Sequence, residues 1–368
     1  MDFARLFPVQ FHTLKELITP LIQRENTNYR DCISVGERLM VTLRFLATGE
    51  SFRSLSDQFR VGVSTIRQFV PETCTAIYEV LKEKYLKCPD TVEEWQQVAD
   101  GFQAQWDFPN CLGALDGKHI NTRPPFSMVL MALVDSNYKY LNVDVGCNGR
   151  ISDGGVFGGC SLQDALENRT SNIPAPAPPP ASDQAVCYSI VADEAFPLKE
   201  YLMTPYPNQR LAVEQRIFNY RLSRARRVVE NAFGILANRF RVFLTSINIQ
   251  DTAKVEGIVL ACCALHNFLL TENSSSFNNT DLMDWLLSVR TEFIQRVSPT
   301  VLNVLLDKLF ESEVISESEM TSARTKPKHD GAREVVDAVR NKGAAASRVL
   351  INALRELDPY LYRKLNLR

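Results

Sequence analysis

The chain has 368 residues, with 41 basic side chains against 43 acidic ones and a formal net charge of −2. That balance excludes a molecule that attracts nucleic acid by its overall field, so such a partner must be met by a local basic patch. Nine cysteines without C-x-x-C spacing, no secretory signal and no long apolar run predict an intracellular protein with reduced thiols and no membrane contact.

The length allows two or three domains. Residues up to about Lys87 read as helical: Phe11–Gln23 and Val35–Ala47 carry apolar residues at helical spacing. Gly49–Arg60 predicts a short helix, and Ser64 is placed to cap a second one through Thr65, Ile66 and Val70. Helix, glycine-containing turn and second helix together resemble a helix-turn-helix, with Arg60, Arg67 and Gln68 exposed toward DNA. An all-helical packing module is the competing reading, and Pro71, early in the second helix, weakens a recognition role.

From Cys111 the period changes. Cys111–Leu115, Phe126–Val134 and Tyr140–Val145 predict three strands, the last two joined by a turn at Asp135-Ser-Asn137. A helix start is expected at Ser152, followed by an extended, solvated loop over Pro174–Pro180. Val186–Ala192 reads as a fourth strand, Glu214–Phe240 as a long helix and Val255–Leu270 as a buried one. The expected architecture is multidomain α and α/β. It comprises a helical, helix-turn-helix-like region (1–100), an RNase H-like mixed α/β core (101–271), a polar linker (272–280) and a helical bundle (281–368). In the bundle, Trp285, Leu286, Phe293, Ile294 and Val297 mark the first helix, followed by Val301, Leu305, Leu306 and Leu309. Val335, Val336 and Val339 mark a later one, and Leu350, Ile351, Leu354 and Leu357 another.

Three acids stand where metal-dependent phosphodiester chemistry needs them. Asp116 and Asp193 each follow an apolar strand, and Glu230 lies on the long amphipathic helix. Hard carboxylate oxygens suit magnesium or manganese, and a metal pair activates water and stabilises the leaving oxygen. Singly, each acid reads equally well as a turn residue or, for Glu230, as a partner of Arg226 or Arg227 on its own helix. From Arg210 to Arg241 there are eight arginines and only two acids. Arg216, Arg221, Arg224, Arg226 and Arg227 therefore form a basic approach suited to phosphate backbones.

Gly113-Ala-Leu-Asp116-Gly-Lys-His, Val-Asp144-Val-Gly-Cys-Asn-Gly-Arg-Ile-Ser-Asp153-Gly-Gly-Val-Phe, Val-Ala-Asp193-Glu-Ala-Phe-Pro-Leu and Arg226-Arg-Val-Val-Glu230-Asn-Ala-Phe-Gly-Ile-Leu resemble the PIF/Harbinger transposase family and the nucleases derived from it. The resemblance spans about Phe11–Leu270. It implies a DDE-type nuclease using a divalent cation, magnesium or manganese, on an RNase H-like fold, with Asp116, Asp193 and Glu230 catalytic. By the motif, Asp116, Asp153, Asp193 and Glu230 would be the metal ligands, although Asp153 at a helix start also reads as a cap. About a dozen family residues are missing after Arg123, where Arg123-Pro-Pro125 runs almost directly into Phe126; the missing piece would sit beside the site, so impaired substrate engagement is expected.

Val289–Ser298, Val301–Leu309 and Ala346–Leu361 resemble a caspase recruitment domain. That resemblance implies a six-helix death-fold bundle that associates homotypically through charged faces and carries no catalytic residue. Arg290, Arg296, Lys308 and Arg340 are candidates for a basic face, and Glu311, Glu313, Glu317 and Glu319 for an acidic one. The expected function is a DNA endonuclease of transposase origin joined to a homotypic interaction module. The alternative is an inactive DNA-binding or adaptor protein working through recruitment-domain assembly in apoptotic or inflammatory signalling. Expected partners are DNA, other recruitment domains and a second copy of the chain; the expected locations are nucleus and cytoplasm.

Overall fold

The computed structural model describes residues 5–26, 32–122, 127–148, 155, 157–168, 171–180, 183–207, 210–275, 289–312 and 314–366. The chain divides into two compact units, residues 1–271 and 272–368.

The first unit opens with helices α1 (Pro8–Ile22), α2 (Val35–Thr48), α3 (Phe52–Phe59), α4 (Val63–Tyr85) and α5 (Val92–Trp106). Ser34 starts α2 with a reciprocal cap: its hydroxyl accepts from Glu37 N at 3.2 Å, and its own N–H donates to the Glu37 carboxylate at 3.0 Å. Ser51 caps α3 in the same sense. Arg60, at φ 54°, takes the left-handed turn between α3 and α4. One expectation needs correction here: the cap of α4 is Gly62 rather than Ser64. Pro71 lies within the helix, as its place early in the second helix implies. Pro71 removes one intrahelical bond, but Val70, Pro71, Cys74 and Ile77 are buried where α4 packs on α1, α2 and α3. That burial, at roughly 1.5–3 kcal/mol for a large apolar side chain, outweighs the missing bond.

Strands β1 (Cys111–Asn121), β2 (Ser127–Val134), β3 (Tyr140–Asn148), β4 (Ser189–Val191) and β5 (Leu202–Met203) form one five-stranded sheet among the described residues, in the order β3-β2-β1-β4-β5. β1, β2 and β3 are a meander with antiparallel pairing; β4 and β5 run parallel to β1. The first strand is longer than its apolar run predicts, the fourth is shorter, and β5 has too little sequence to show a pattern. The turn between β2 and β3 follows Asp135, whose Oδ1 accepts from Asn137 N and Lys139 N at 2.8 Å each.

One sheet face packs on α7 (Val213–Arg239), burying Ala114, Leu130 and Ala132 with Val228, Ala232 and Phe233. The other carries Leu112, Leu115, Met131 and Leu133 against Trp95 and Phe157; α6 (Ser161–Glu167) adds Leu162 and Leu166 to it. A 3-10 turn (Arg241–Leu244) leads to α8 (Thr252–Ser275). Against the expectation of no long apolar run, α8 is long and apolar enough to cross a membrane, yet 67% of that segment is buried within the unit. Its polar groups also serve the sheet: Asn267 accepts from Tyr140 N and donates to Tyr140 O and Tyr85 O, at 2.9, 2.7 and 2.7 Å. At about 1 kcal/mol net per bond, such contacts fix α8 as a core helix.

Two further expectations change. Glu272–Ser275, read as the start of a linker, continue α8, and Pro174 in the solvated loop is buried. The remaining linker residues, Trp285, Leu286, Glu313, the helix start at Ser152 and the Arg123–Pro125 junction lie outside the described residues.

Among the described residues, the second unit is all helical. A helical stretch over 289–296 precedes α9 (Pro299–Glu311), α10 (Glu317–Thr325), α11 (Lys328–Asn341), α12 (Ala344–Leu357) and α13 (Pro359–Asn366). Its core gathers Phe293, Leu305, Leu306, Leu309, Val336 and Leu354, residues marked by helical spacing. Gly331 permits a close approach of α10 and α11, since a Cβ there would stand 2.5 Å from Ala323 O.

Candidate metal and nucleic-acid site

The aim of Asp116 is set three residues upstream. Gly113 has φ +143° and sits at a register break between β1 and β4, a β-bulge. Leu112 faces the α5 side of the sheet, whereas Ala114 faces α7, and from there alternation carries Asp116 and Lys118 to the α7 side. Without the extra residue, Asp116 would turn to the opposite face. A side chain at Gly113 would meet Leu133 Cδ1 at 2.7 Å and Val134 O at 3.1 Å, so the position is closed to other residues sterically as well as by its φ.

Asp116 is therefore inside a strand rather than at its end as expected, opposite Ala132 of β2. Its Oδ1 accepts from Gly117 N at 2.9 Å, and the side chain is only 16% exposed. On α7 the buried stripe Leu222, Ala225, Val229, Ala232 and Leu236 seats the helix. Arg226 and Glu230 flank it one turn apart. Arg226 Nη2 donates to Glu230 Oε1 at 2.7 Å, while its Nη1 stands 3.9 Å from Asp116 Oδ2. One guanidinium thus links the strand acid to the helix acid, so Glu230 lies on the Asp116 side of the sheet.

Asp193 follows β4. In the parallel β1–β4 ladder Ala114 is opposite Val191, and Asp116 and Asp193 each stand two residues beyond that pair. The Asp193 carboxylate accepts from Ala195 N at 2.9 Å, within a turn whose Phe196 N–H is bonded to Asp193 O. Among the described residues, no three His, Cys, Asp or Glu side chains gather closely enough to hold a metal. The structure joins Asp116 and Glu230 through a cation and brings Asp193 to the same level of the sheet, but it does not bring the three carboxylates into contact. Asp153 lies outside the described residues. Asp144, on β3 opposite Met131, faces away from Asp116, and burial raises its pKa above the usual carboxylate value.

The basic approach is present but uneven. Arg216 and Arg227 are exposed, Arg224 lies 5.9 Å over the exposed Tyr220 ring, and Arg221 reaches Asp107 at 3.4 Å. Arg60 and Arg67 are exposed near α3 and α4. Arg67, together with Arg53, also lines a cavity of about 400 Å³ whose other wall comes from residues 242–249. Sequence reasoning missed this cavity because its two walls are almost 200 residues apart in the chain. Deeper in the unit, His266 is buried, and that burial pushes its pKa down to about 3. It is neutral at ordinary pH, with Nε2 2.9 Å from Tyr138 O.

The second unit uses its charges internally. Arg290, read as an interface cation, makes a bidentate pair with Asp337 at 2.9 and 2.6 Å and so links the 289–296 stretch to α11. Arg296 pairs with Glu292, Lys308 with Glu356, and Glu319 with Lys342 while also capping Ser316. Glu317 and Glu311 are exposed. Except for Arg296–Glu292, which is an i,i+4 pair, these partners were invisible to charge counting because they depend on which helices meet.

Comparison with known proteins adds an independent line. Residues 99–267 match the family described as DDE superfamily endonuclease, and residues 283–368 match the caspase recruitment domain. The chain is 26% identical to "Protein ALP1-like" of Arabidopsis thaliana over 268 residues, covering 68% of this chain and 64% of that protein. It is 25% identical to "Putative nuclease HARBI1" of Homo sapiens over 272 residues, 72% of this chain and 75% of that one. Its C-terminal part is 38% identical to "Caspase-1" of Equus caballus over 80 residues, 21% and 20% of the two chains. The chain thus spans less than two thirds of the plant relative it matches. No solved structure matches it.

Proposed function

Because residues 99–267 carry a DDE superfamily endonuclease region and residues 283–368 a caspase recruitment domain, we propose that the protein is a divalent-metal-dependent DNA endonuclease of transposase origin that assembles through its C-terminal unit. The observation that carries the nuclease reading is the ladder position of the acids. Asp116 and Asp193 follow a matched pair on adjacent parallel strands, and Glu230 shares a cation with Asp116. The sheet order β3-β2-β1-β4-β5, with a meander followed by parallel strands, supports an RNase H-like core. By chemistry the donors suit a hard cation, since the acids offer carboxylate oxygens and two of them already face one guanidinium, although the described carboxylates are not gathered into a metal-holding group.

In this reading Asp116, Asp193 and Glu230 hold magnesium or manganese, with Asp153 as a further ligand carried over from the family motif. A divalent pair supplies a water activated for attack and stabilises the departing oxygen. The protein's own part is to bind and aim the substrate. Arg216, Arg221, Arg224 and Arg227 neutralise backbone phosphates, and the bulge at Gly113 holds Asp116 toward the helix that carries them. Arg60 and Arg67, beside the turn between α3 and α4, offer a second DNA contact. The C-terminal unit would bind other recruitment domains or a second copy through the exposed Glu317, since Arg290, Arg296 and Glu319 are each paired within the unit. Nucleus and cytoplasm are the compartments these two activities require.

A second reading keeps DNA binding without cleavage. It draws on the short junction after β1, where Asn121 pairs with Ser127 across only five intervening residues. Nicking of supercoiled DNA by the full chain in magnesium or manganese separates the two. Cleavage by the wild type that disappears in Asp193→Asn supports the enzyme. Binding without cleavage in either metal leaves the scaffold.

A further inference from the structure

Arg226 is singled out by where its guanidinium goes. Arg216 and Arg227 are exposed, Arg221 reaches Asp107 and Arg224 lies over Tyr220, whereas Arg226 is only 25% exposed and turns inward between two acids. A simple helix-surface pair does not account for this. The order Arg226 then Glu230, cation before acid by four residues, is the less favourable one along a helix. The additional attraction is across elements, toward Asp116 of β1 at 3.9 Å. Two carboxylates from different elements, one 16% and one 46% exposed, thus both face the Arg226 guanidinium.

We infer that Arg226 is the resident counter-cation of the Asp116–Glu230 pair and that a divalent cation binding these carboxylates must displace its guanidinium. The inference rests on the nuclease reading above and deepens it by adding a residue that competes with the metal instead of holding it. The chemistry favours exchange. A guanidinium donates N–H groups from a planar fork and cannot enter a compact shell of oxygens around a small ion. While it remains, it holds Glu230 Oε1 at 2.7 Å, a contact that a bound ion would have to compete with. Arg226 therefore sets the threshold of metal concentration at which the site fills.

The test is calorimetric titration of the full chain with manganese chloride, without DNA, for the wild type, Arg226→Gln and Arg226→Lys. Thermal unfolding of each variant confirms that it is folded, and Arg226→Lys retains a competing charge if Arg226→Gln is poorly behaved. A partly exposed ion pair supports an effect of about threefold, so Arg226→Gln is expected to bind manganese about three times more tightly than wild type. Arg226→Lys is expected to stay close to wild type, and Asp116→Asn to remove the binding in either background. Equal or weaker binding by Arg226→Gln, with wild-type binding still abolished by Asp116→Asn, overturns the displacement and leaves the metal reading intact. No manganese bound by wild type or by Arg226→Gln overturns both.

Discussion

The Asp116–Glu230 pair of the first unit is arranged differently from the paired acids of the C-terminal unit. In the C-terminal unit Asp337, Glu356, Glu319 and Glu334 each have a cation of their own, in Arg290, Lys308, Lys342 and Lys326. Most of these pairs tie one helix to another and are part of the fold. In the N-terminal unit Asp116 and Glu230 share one guanidinium, while Arg216 and Arg227 of the same helix stay exposed. An acid with its own cation on a neighbouring element is structural. Under the proposed nuclease reading, acids that share a cation would be the ones to take a ligand of higher charge.

The largest expected effect tests the arginines of α7. Replacing Arg221, Arg224 and Arg227 with alanine should weaken DNA binding more than tenfold at moderate salt. It should also flatten the salt dependence by roughly 0.9 log unit for each phosphate no longer neutralised. Fluorescence anisotropy over a salt series reads both, and an unchanged slope would move the DNA surface to Arg60 and Arg67. Next comes the bulge. Gly113→Ala forces a side chain into a positive-φ position against Leu133, which should cost about 1–3 kcal/mol in urea unfolding. It should also reduce manganese binding, because the strand must slip to relieve the clash.

A smaller effect separates the units by pH. The folded pKa of His266, about 3, is below its unfolded value of 6.5, so the unfolded chain binds the extra proton. Stability of the first unit should fall as pH drops from about 6.5 toward 3, by up to about 1.4 kcal/mol per pH unit. His266→Gln should flatten that slope. In the second unit Arg290 holds Asp337 below its usual 3.8, and Lys342 holds Glu319 below 4.5. Their stabilisation is complete above those unfolded values and is lost only as pH falls through the lower folded ones. Amide exchange followed by unit should therefore show the first unit loosening at a higher pH than the second. The smallest effect is Arg290→Ala, expected to destabilise the second unit by about 1 kcal/mol or less, since the pair is partly exposed.

How much was legible in the sequence follows from the range of the forces involved. The meander, the α7 and α8 helices and the bundle core could be read because apolar spacing is local: Leu222, Ala225 and Val229 mark one helical face wherever it packs. The strand acids Asp116 and Asp193 could be placed after apolar runs for the same reason. The bulge at Gly113 was not legible, since an extra residue in a ladder shows only against the partner strand. Nor was the match between Ala114 and Val191, which joins residues 77 apart. Arg226 could be paired with Glu230 from spacing alone, but its reach to Asp116 needs the packing of α7 on β1. Arg290 was misjudged as a surface charge because its partner Asp337 is 47 residues away. β5, with two residues, has no period to read.

The most direct measurement is anomalous diffraction from crystals of the full chain grown or soaked with manganese. The account predicts a manganese peak bounded by the carboxylates of Asp116 and Glu230, level with Asp193, with the Arg226 guanidinium moved away from Glu230. Strong manganese peaks elsewhere on the protein, with Arg226 still bridging Asp116 and Glu230, would contradict it.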